Sequence, residues 1–390
     1  MEGGTRYLEK QEAARTTRKK WIVIGSIIGL VAIIAVGVGV GVAVAKNNSN
    51  KDSSGKSSSG SHSGKGPVEQ SDPNDPSTFV RDANLKHSFY GIAYTPEGSQ
   101  LPDCGNNLED VIKDIQLMSQ LTSRIRLYGA DCNQTALVLD AIQRTKVDMQ
   151  VYLGIYNIPT DPTPYTRQRD LIKEAIETYG VDHVAGITVG NEFMLNYLNA
   201  NGGTEPNTPI GDAGAALLIP NITDTRNMLA GMSLPKTIPV GTSDAGSYFN
   251  NLVMESIDYG MANVHPWFAN VSIDQAADWT ETFFQENNVV VANALPNKPQ
   301  MFIAETGWPT KSSDAGNANN GPSLASVPNL QTFLDTFTCQ ANQKGTGYFF
   351  FSYFDEPWKD KQFGGVEGWW GLFNADRTLK DITIPDCHID

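Results

Sequence analysis

The feature that most constrains the fold of this chain is an alternation of short apolar runs with amphipathic segments, which begins at His87. Such alternation is typical of parallel strands joined by crossover helices. Eight runs have the β-branched and aromatic composition of strands: Ser88–Tyr94, Ser123–Tyr128, Met149–Ile155, Val184–Gly190, Ile238–Thr242, Met261–His265, Gln300–Ala304 and Gly347–Phe351. Eight units in about 300 residues predict an α/β fold, a (β/α)8 TIM barrel, although periodicity alone also allows an open doubly wound sheet.

The segments between these runs have the spacing of helices that pack one face against a sheet. Asn107–Gln120 and Ser326–Gln343 both place apolar residues three and four positions apart, which is the period of an amphipathic helix. In a barrel, the carboxyl ends of all strands open at one face. We therefore expect functional side chains just after the strands.

A long apolar stretch precedes this region. Ile22–Ala45 comprises 24 apolar or small residues, among which only Ser26 has a polar side chain. As a helix it would span about 36 Å, which is enough to cross a bilayer. The basic residues Arg18–Lys20 lie just before it and predict a type II orientation. A cleaved signal peptide that ends near Ala45, giving a secreted protein, is the alternative. Glycine pairs four residues apart within the stretch would allow weak helix-mediated dimerisation.

The sequence therefore divides into four expected parts. They are a cytoplasmic tail (1–21), a transmembrane signal-anchor helix (22–45), a disordered linker that is first Ser/Gly/Lys-rich and then Pro/Asp-rich (46–84), and the TIM-barrel domain (85–390). The linker has too few apolar residues to offset the entropy of ordering.

Charge is unevenly distributed along the chain. The formal net charge is −14, but residues 1–21 and 46–66 each carry +3, which leaves −20 for residues 67–390. Because an acidic domain repels phosphate backbones, nucleic acid is excluded as a partner. A neutral or cationic ligand suits this charge, and so does plain surface solvation.

All four cysteines lie in the barrel region. Beyond a membrane span they would be in an oxidising compartment, so we expect two disulfides. The expected pairing is Cys104 with Cys132 and Cys339 with Cys387, although three connectivities exist. There is no Cys-x-x-Cys motif, and the five histidines form no ligand pair. No metal site is predicted.

Two strand ends carry a pair of carboxyl groups. The fourth run is followed by Asn191 and Glu192, the seventh by Glu305, and these runs lie nearly opposite each other in an eight-stranded barrel. Two glutamates about 5–5.5 Å apart are what a retaining glycosidase uses. One attacks the anomeric carbon, while the other protonates the leaving oxygen and later activates water. This chemistry needs no metal or cofactor. The alternative is that either glutamate caps a helix or pairs with Arg126.

Five segments resemble glycoside hydrolase family 17, in particular its fungal β-1,3-glucanases and glucanosyltransferases. They are Gly91–Pro96, Arg126–Gly129, Val189–Glu192, Glu305–Pro309 and Phe354–Lys359. The resemblance covers roughly residues 87–387 and implies that Glu305 is the nucleophile, Glu192 the acid/base and β-1,3-glucan the substrate. An ionised Glu305 would raise the pKa of Glu192 and keep it protonated until the sugar esterifies Glu305.

The same resemblance implies further substrate-binding residues. Asn191 would hydrogen-bond the 2-hydroxyl of the sugar, and Glu356 and Lys359 match an acidic and basic pair in the last loop of the family. Other candidates near the sugar are the aromatic residues and histidine that follow the strands, and they could equally fill the core. These are Tyr94, Tyr128, His265, Trp267 and Trp308.

Three functions remain open at this stage. Hydrolysis of internal bonds in cell-wall glucan transfers the glycosyl group from Glu305 to water. Transfer to another glucan chain would instead make the protein a glucanosyltransferase, and a catalytically silent glucan-binding anchor is the third. The catalytic domain of a type II protein would face the cell wall. Sequons at Asn133, Asn221 and Asn270 are then expected glycosylation sites.

Overall fold

The structure, a computed structural model, describes residues 68–387. The expected cytoplasmic tail, the apolar stretch with its glycine pairs and the linker up to residue 67 lie outside the described residues. Within the described range, no helix is both long and apolar enough to cross a membrane. The chain from Gln70 onward forms one compact unit.

Eight parallel strands close into a barrel, which confirms the predicted TIM barrel over the open sheet. The barrel strands pair in the order of the chain, and the last one pairs with β1. They are β1 (Gly91–Ala93), β2 (Arg124–Arg126), β3 (Gln150–Ile155), β4 (Val184–Asn191), β5 (Val240–Ala245), β6 (Tyr259–Asn263), β7 (Gln300–Thr306) and β10 (Tyr348–Phe350). A small hairpin, β8 (Asn319–Asn320) and β9 (Ser323–Leu324), lies in the loop after β7. Every barrel strand overlaps a predicted run, with its ends shifted by a few residues.

Helices occupy the connections between the strands. They are α1 (Leu108–Met118), α2 (Gln134–Thr145), α3 (Thr163–Tyr179), α4 (Phe193–Ala200), α5 (Pro209–Ala230), α6 (Asn251–Glu255), α7 (Ile273–Phe284), α8 (Val290–Asn293), α9 (Val327–Phe333), α10 (Cys339–Lys344) and α11 (Pro357–Phe363). The predicted helices begin at polar caps: the Asn107 side chain accepts the amide of Asp110, and Ser326 accepts that of Asn329. A π-helical turn, Leu334–Thr338, joins α9 to α10.

Aromatic rings fill part of the barrel interior. Tyr152 from β3 packs edge-on against Tyr259 from β6 and Phe349 from β10, with ring centroids 5.3 and 5.4 Å apart. Because these strands are not neighbours, the rings must point into the barrel. The hydroxyls of Tyr259 and Thr188 also share a hydrogen bond of 2.9 Å. The barrel interior is therefore packed at this level, and ligand sites of TIM barrels lie at the carboxyl end of the strands.

Two disulfides confirm the expected pairing. Cys104 is bonded to Cys132, and Cys339 is bonded to Cys387. The first joins the loops that follow β1 and β2, at the carboxyl end of the barrel. The second ties α10 to the C-terminal segment.

The compact unit begins earlier than the predicted boundary at Leu85. A bridge pairs Gln70 with Phe79, and Gln116 in α1 donates to the carbonyl of Pro76 at 2.8 Å. The composition of this stretch did not indicate order, because its backbone is bound by two distant polar side chains, those of Gln116 in α1 and of Gln120 just after it.

Candidate active site

Two β-bulges aim functional side chains into the barrel. In β4 the register with β5 shifts between Thr188 and Asn191, where Gly190 has a φ of +96°. A Cβ at that glycine would also lie 2.9 Å from Asn157 Oδ1, so the position requires glycine. In β7 the register with β6 shifts just before Glu305. A bulge adds one residue and changes the face to which the next side chain points. Each bulge thus turns the polar residue after it inward.

Arg126, at the end of β2, links three other strands from inside the barrel. Its guanidinium donates to Glu305 Oε1 at 3.0 Å, to Asn191 Oδ1 at 2.6 Å and to Ser243 Oγ at 2.9 Å. The ring of Tyr128 lies 4.3 Å from the guanidinium carbon. Arg126 is only 1% exposed. Arg126 therefore does pair with one of the two glutamates, Glu305. Its positive charge favours the ionised form of the Glu305 carboxyl group.

Glu305 has a second nitrogen partner. His265 Nε2 lies 3.1 Å from Glu305 Oε2, and the His265 ring packs edge-on against Trp370 and Phe351. Burial alone would raise the pKa of Glu305. The hydrogen bond with His265 and the charge of Arg126 outweigh burial and lower that pKa to about 2. The carboxylate is consequently ionised in neutral and weakly acidic solution, as a nucleophile must be.

Glu192 has a different environment. It occupies the N-cap position of α4 with a left-handed φ of 58°, but its side chain makes no cap hydrogen bond. Its Oε1 instead accepts a hydrogen bond from Asn263 Nδ2 at 3.1 Å. Burial, followed by the negative charge of Glu305, raises the pKa of Glu192 to about 7. The helix-cap alternative is thus wrong, and Glu192 is protonated in weakly acidic solution, as a general acid must be.

The two carboxyl groups lie over the same end of the barrel. Asn263, which binds Glu192, is the register partner of Glu305 on the neighbouring strand. Their environments push the two pKa values in opposite directions, so one group can attack while the other donates a proton. The two groups titrate as a coupled pair.

A family model for the BtgE/BtgC glycoside hydrolase domain matches residues 91–371. The chain belongs to this family. The probable glucan endo-1,3-beta-glucosidase btgC of Aspergillus terreus is 36% identical to it over 332 residues, which are 81% of this chain and 48% of that protein. The glucan endo-1,3-beta-glucosidase btgC of Emericella nidulans is 34% identical over 319 residues, which are 78% of this chain and 47% of that protein. The chain thus spans about half the length of the curated relatives it matches.

Solved structures agree with this assignment. A glycoside hydrolase family 17 β-1,3-glucanosyltransferase from Rhizomucor miehei is 29% identical to the BtgE/BtgC domain, with a TM-score of 0.61, and the match covers 77% of this chain and 99% of that one. An endo-laminarinase from Formosa, 20% identical with a TM-score of 0.59 over 76% of this chain and 86% of that one, shares the fold. The resemblance to family 17 that the motifs predict is confirmed.

Several predicted binding residues of the BtgE/BtgC domain do meet beside Glu305. Lys359 Nζ lies 2.5 Å from Glu356 Oε2, and Trp358 Nε1 donates to Glu356 Oε1 at 3.2 Å. The Tyr128 hydroxyl is buried and, among the described residues, has no partner in hydrogen-bonding geometry. Burial, then the charge of Glu305, raises the pKa of Tyr128 well above its usual range. This hydroxyl therefore lies next to the carboxylate of Glu305.

Three aromatic residues expected at the sugar belong largely to the protein interior. Trp308 is 0% exposed, and its indole N–H donates to the carbonyl of Leu324 at 2.8 Å. Tyr94 is 1% exposed and donates to Asp114 Oδ2 at 2.8 Å. Trp267 is 5% exposed and packs between aromatic neighbours. The expectation that Trp308 contacts substrate is wrong, because its side chain is buried and its polar atom is already paired. Tyr94 is also buried and paired, but it lines the same small cavity as Tyr128 and Glu356, so its contact with substrate stays a prediction. Trp267 can present only an edge of its ring to a sugar.

Tyr156, an aromatic residue that follows the third predicted run, also lies near the pair, and sequence reasoning missed three further residues there: Asn263, Ser243 and Glu367. The first two are at strand ends, so the strand-end rule could have identified them. Tyr156 follows β3 and is 42% exposed, and the charge of Glu192 adds to burial in raising its pKa. Burial also raises the pKa of Glu367, in opposition to the nearby lysine and histidine. Glu367 lies in the loop after α11, where no periodic pattern singles it out.

The remaining predicted sites lie away from the glutamates. Among residues 68–387, no group of three or more His, Cys, Asp or Glu side chains is arranged to hold a metal ion. Asn133 and Asn270 are exposed, whereas Asn221 lies within α5 and is half-buried. Glycosylation of these asparagines stays a prediction.

Proposed function

We propose that this protein is a retaining glycoside hydrolase that cleaves internal β-1,3-glucosidic bonds of cell-wall glucan. The observation that carries the proposal is the unequal surroundings of the two glutamates. Glu305 has the cation of Arg126 and the imidazole of His265 as partners, whereas the one hydrogen-bond partner of the Glu192 side chain among the described residues is the amide of Asn263. Such a difference supports an ionised nucleophile beside a protonated acid.

The substrate class rests on the relatives. The btgC proteins are named glucan endo-1,3-beta-glucosidases, and an active-site mutant of the Rhizomucor miehei β-1,3-glucanosyltransferase has been solved in complex with laminaritriose. We carry the β-1,3-glucan substrate over to this chain as part of the proposal.

In the first step, a carboxylate oxygen of Glu305 attacks the anomeric carbon. As the bond to the leaving glucan breaks, Glu192 gives its proton to the leaving oxygen. The sugar now esterifies Glu305, whose charge is gone, so the pKa of Glu192 falls and its carboxylate can accept a proton from water. That water attacks the anomeric carbon and releases a product of retained configuration. Asn191, held by Arg126, would bind the 2-hydroxyl through its amide N–H.

The second candidate is transfer of the glycosyl group to another glucan chain. The similarity to the Rhizomucor miehei β-1,3-glucanosyltransferase favours it, because the match covers 99% of that chain. In this case the hydroxyl of an acceptor sugar replaces water, and Glu192 takes the proton from that hydroxyl.

Incubating the purified protein with laminarin and sizing the products distinguishes these functions. Only shorter chains indicate a hydrolase, while chains longer than the substrate indicate a transferase. Unchanged laminarin would refute both and favour the silent glucan-binding anchor. A parallel incubation with β-1,6-glucan, which should not react, tests the linkage.

Variants test the two roles. Glu305→Ala should abolish turnover, and azide should restore it as a glycosyl azide of inverted configuration. Glu192→Ala should act only on substrates with good leaving groups. The matched control is Glu177→Gln, because Glu177 is an exposed glutamate of α3 that pairs with Lys173. Near-normal laminarin turnover by either active-site variant would refute its assigned role.

For location we propose a type II membrane protein with the barrel domain facing the cell wall. The 24 apolar or small residues of Ile22–Ala45 behind a basic cluster support it. The protein should then resist extraction of membranes at alkaline pH, and protease should digest its barrel domain on intact spheroplasts. A soluble mature protein that begins at Lys46 would instead establish the secreted alternative.

A further inference from the structure

The helix that begins after Glu192 is capped by a residue of another strand. Asp244 in β5 is 1% exposed. Its Oδ2 accepts the amide of Met194 at 2.7 Å, and its Oδ1 accepts the amides of Leu195 at 3.2 Å and Ala245 at 2.9 Å. Met194 and Leu195 are the second and third residues of α4. The amides at these positions are the ones that an N-cap side chain normally binds.

Glu192 holds the N-cap position of this helix without performing the capping. An acidic side chain there is attracted to the free amides and to the positive end of the helix dipole. Both amides are already occupied by Asp244. The Glu192 carboxyl can therefore extend into the site, where it meets Asn263.

We propose that Asp244 is a positioning residue for the acid/base: it caps α4 in place of Glu192 and so leaves the Glu192 carboxyl free for the sugar. This rests on the proposed function for what Glu192 does. Without Asp244, two buried amides would lose their acceptor, which is costly. The carboxyl of Glu192 is the acidic group at the same helix end and would turn to replace it.

Electrostatics are consistent with this arrangement. Burial raises the pKa of Asp244 well above its usual range; the amides of Met194 and Leu195 act against the rise, and the charge of Glu192 adds to it. Two acidic groups thus share one helix end, and the charge of Glu192 disfavours ionisation of Asp244.

Kinetics on two substrates separate positioning from plain stability. Laminarin needs the acid, whereas 2,4-dinitrophenyl β-laminaribioside with azide needs neither acid nor base from Glu192. Asp244→Ala should lose about 100-fold or more in laminarin turnover, the scale of general acid catalysis, and stay within about threefold of the wild type on the activated substrate with azide. Asp244→Asn, which keeps one acceptor oxygen, should recover part of the loss. The double variant with Glu192→Ala should be no slower than Glu192→Ala alone, because both changes remove one function.

The matched control is Asn250→Ala. Asn250 is also 1% exposed and caps α6 through the amides of Leu252 and Val253. Asn250→Ala should lower the melting temperature, but it should change the rates on laminarin and on the activated substrate by the same factor. An equal loss on both substrates for Asp244→Ala, or a double variant slower than Glu192→Ala, would overturn the proposal. If the Asp244→Ala protein does not fold, the rates on the two substrates are compared for Asp244→Asn instead.

A crystal structure of the Asp244→Ala protein decides the point independently of turnover. The Glu192 carboxyl should have left Asn263 and should accept the amides of Met194 and Leu195. A Glu192 side chain that still binds Asn263 above unpaired amides would overturn the proposal. If the wild-type protein is inactive on both substrates, the proposed function fails, while this structure still decides what Asp244 does.

Discussion

Arg126 Nη1 and Glu305 Oε1 form an ion pair of 3.0 Å in which the two side chains are 1% and 9% exposed. The other terminal nitrogen of the same guanidinium binds Asn191 and Ser243. One cation therefore fixes the proposed nucleophile relative to Asn191, whose amide is the proposed sugar-binding group, and so links four strands of the barrel. Removing one partner of such a buried pair leaves a charge without compensation, which costs about 3–5 kcal/mol.

Arg126→Met should therefore destabilise the protein and impair the nucleophile. Without the guanidinium, the pKa of Glu305 rises, and the acidic limb of the kcat/KM profile should move to higher pH. Urea unfolding and initial rates on laminarin measure the two effects. Arg226→Met is the control, because Arg226 pairs with Asp258 at the surface and such pairs contribute little. An unchanged acidic limb would contradict the role of Arg126.

The pH dependence of kcat/KM follows from the two glutamates. Activity requires Glu305 ionised and Glu192 protonated, with pKa values of about 2 and about 7. Activity should fall as pH drops through the lower value and as it rises through the upper one. The apparent values belong to the coupled pair. Rates on laminarin in buffers of constant ionic strength test this, and activity that keeps rising above pH 8 would contradict the protonated acid.

Glu192 should also make stability depend on pH. The pKa of Glu192 in the folded protein, about 7, exceeds the ordinary value of 4.5. The stability that Glu192 contributes is therefore fully present below pH 4.5 and is lost as the pH rises through about 7. The loss is on the order of 3 kcal/mol. Glu192→Gln should therefore be more stable than the wild type at pH 8 and similar to it at pH 4, as measured by urea unfolding. Glu177→Gln should show no such change in its stability difference from the wild type between pH 4 and pH 8. Equal differences at both pH values would exclude Glu192 as the cause.

Trp308 should act on stability and not on binding. It is fully buried and hydrogen-bonded, so Trp308→Ala should cost about 3–5 kcal/mol in unfolding free energy while the folded fraction keeps its KM for laminarin. Trp358→Ala is the contrasting variant, because Trp358 is half-buried and donates to Glu356, and it should raise KM instead. A stable Trp308→Ala protein with a raised KM would return Trp308 to the sugar-binding residues.

The sequence predicted those parts of this molecule that depend on local pattern and topology. Eight apolar runs predicted eight strands, and the geometry of a barrel then required Glu192 and Glu305 to share one end. The expected cysteine pairing was one of three possible connectivities, and the structure contains that one. Motif resemblance indicated Glu356 and Lys359 as a pair, which the structure contains, while their contact with substrate stays a prediction.

Long-range hydrogen bonds account for most of what was missed. Nothing in the sequence around Asp244 reveals that its acceptors serve the amides of α4, nor that Gln116 orders the segment near Pro76. Trp308 was misassigned because a strand-end aromatic has the same pattern whether it faces a ligand or the core. The bulge in β4 is marked by Gly190, but only the register with β5 shows that it turns Asn191 inward.

The most direct measurement is to trap the glycosyl-enzyme. A 2-deoxy-2-fluoro-β-laminaribioside with a dinitrophenyl leaving group slows both chemical steps, and its good leaving group lets the intermediate accumulate. Mass spectrometry of the intact protein and of its peptides should find one added fluorolaminaribiosyl group, a disaccharide, on the peptide that contains Glu305, and added laminarin should release it. No adduct, or an adduct on Glu192, would contradict the account.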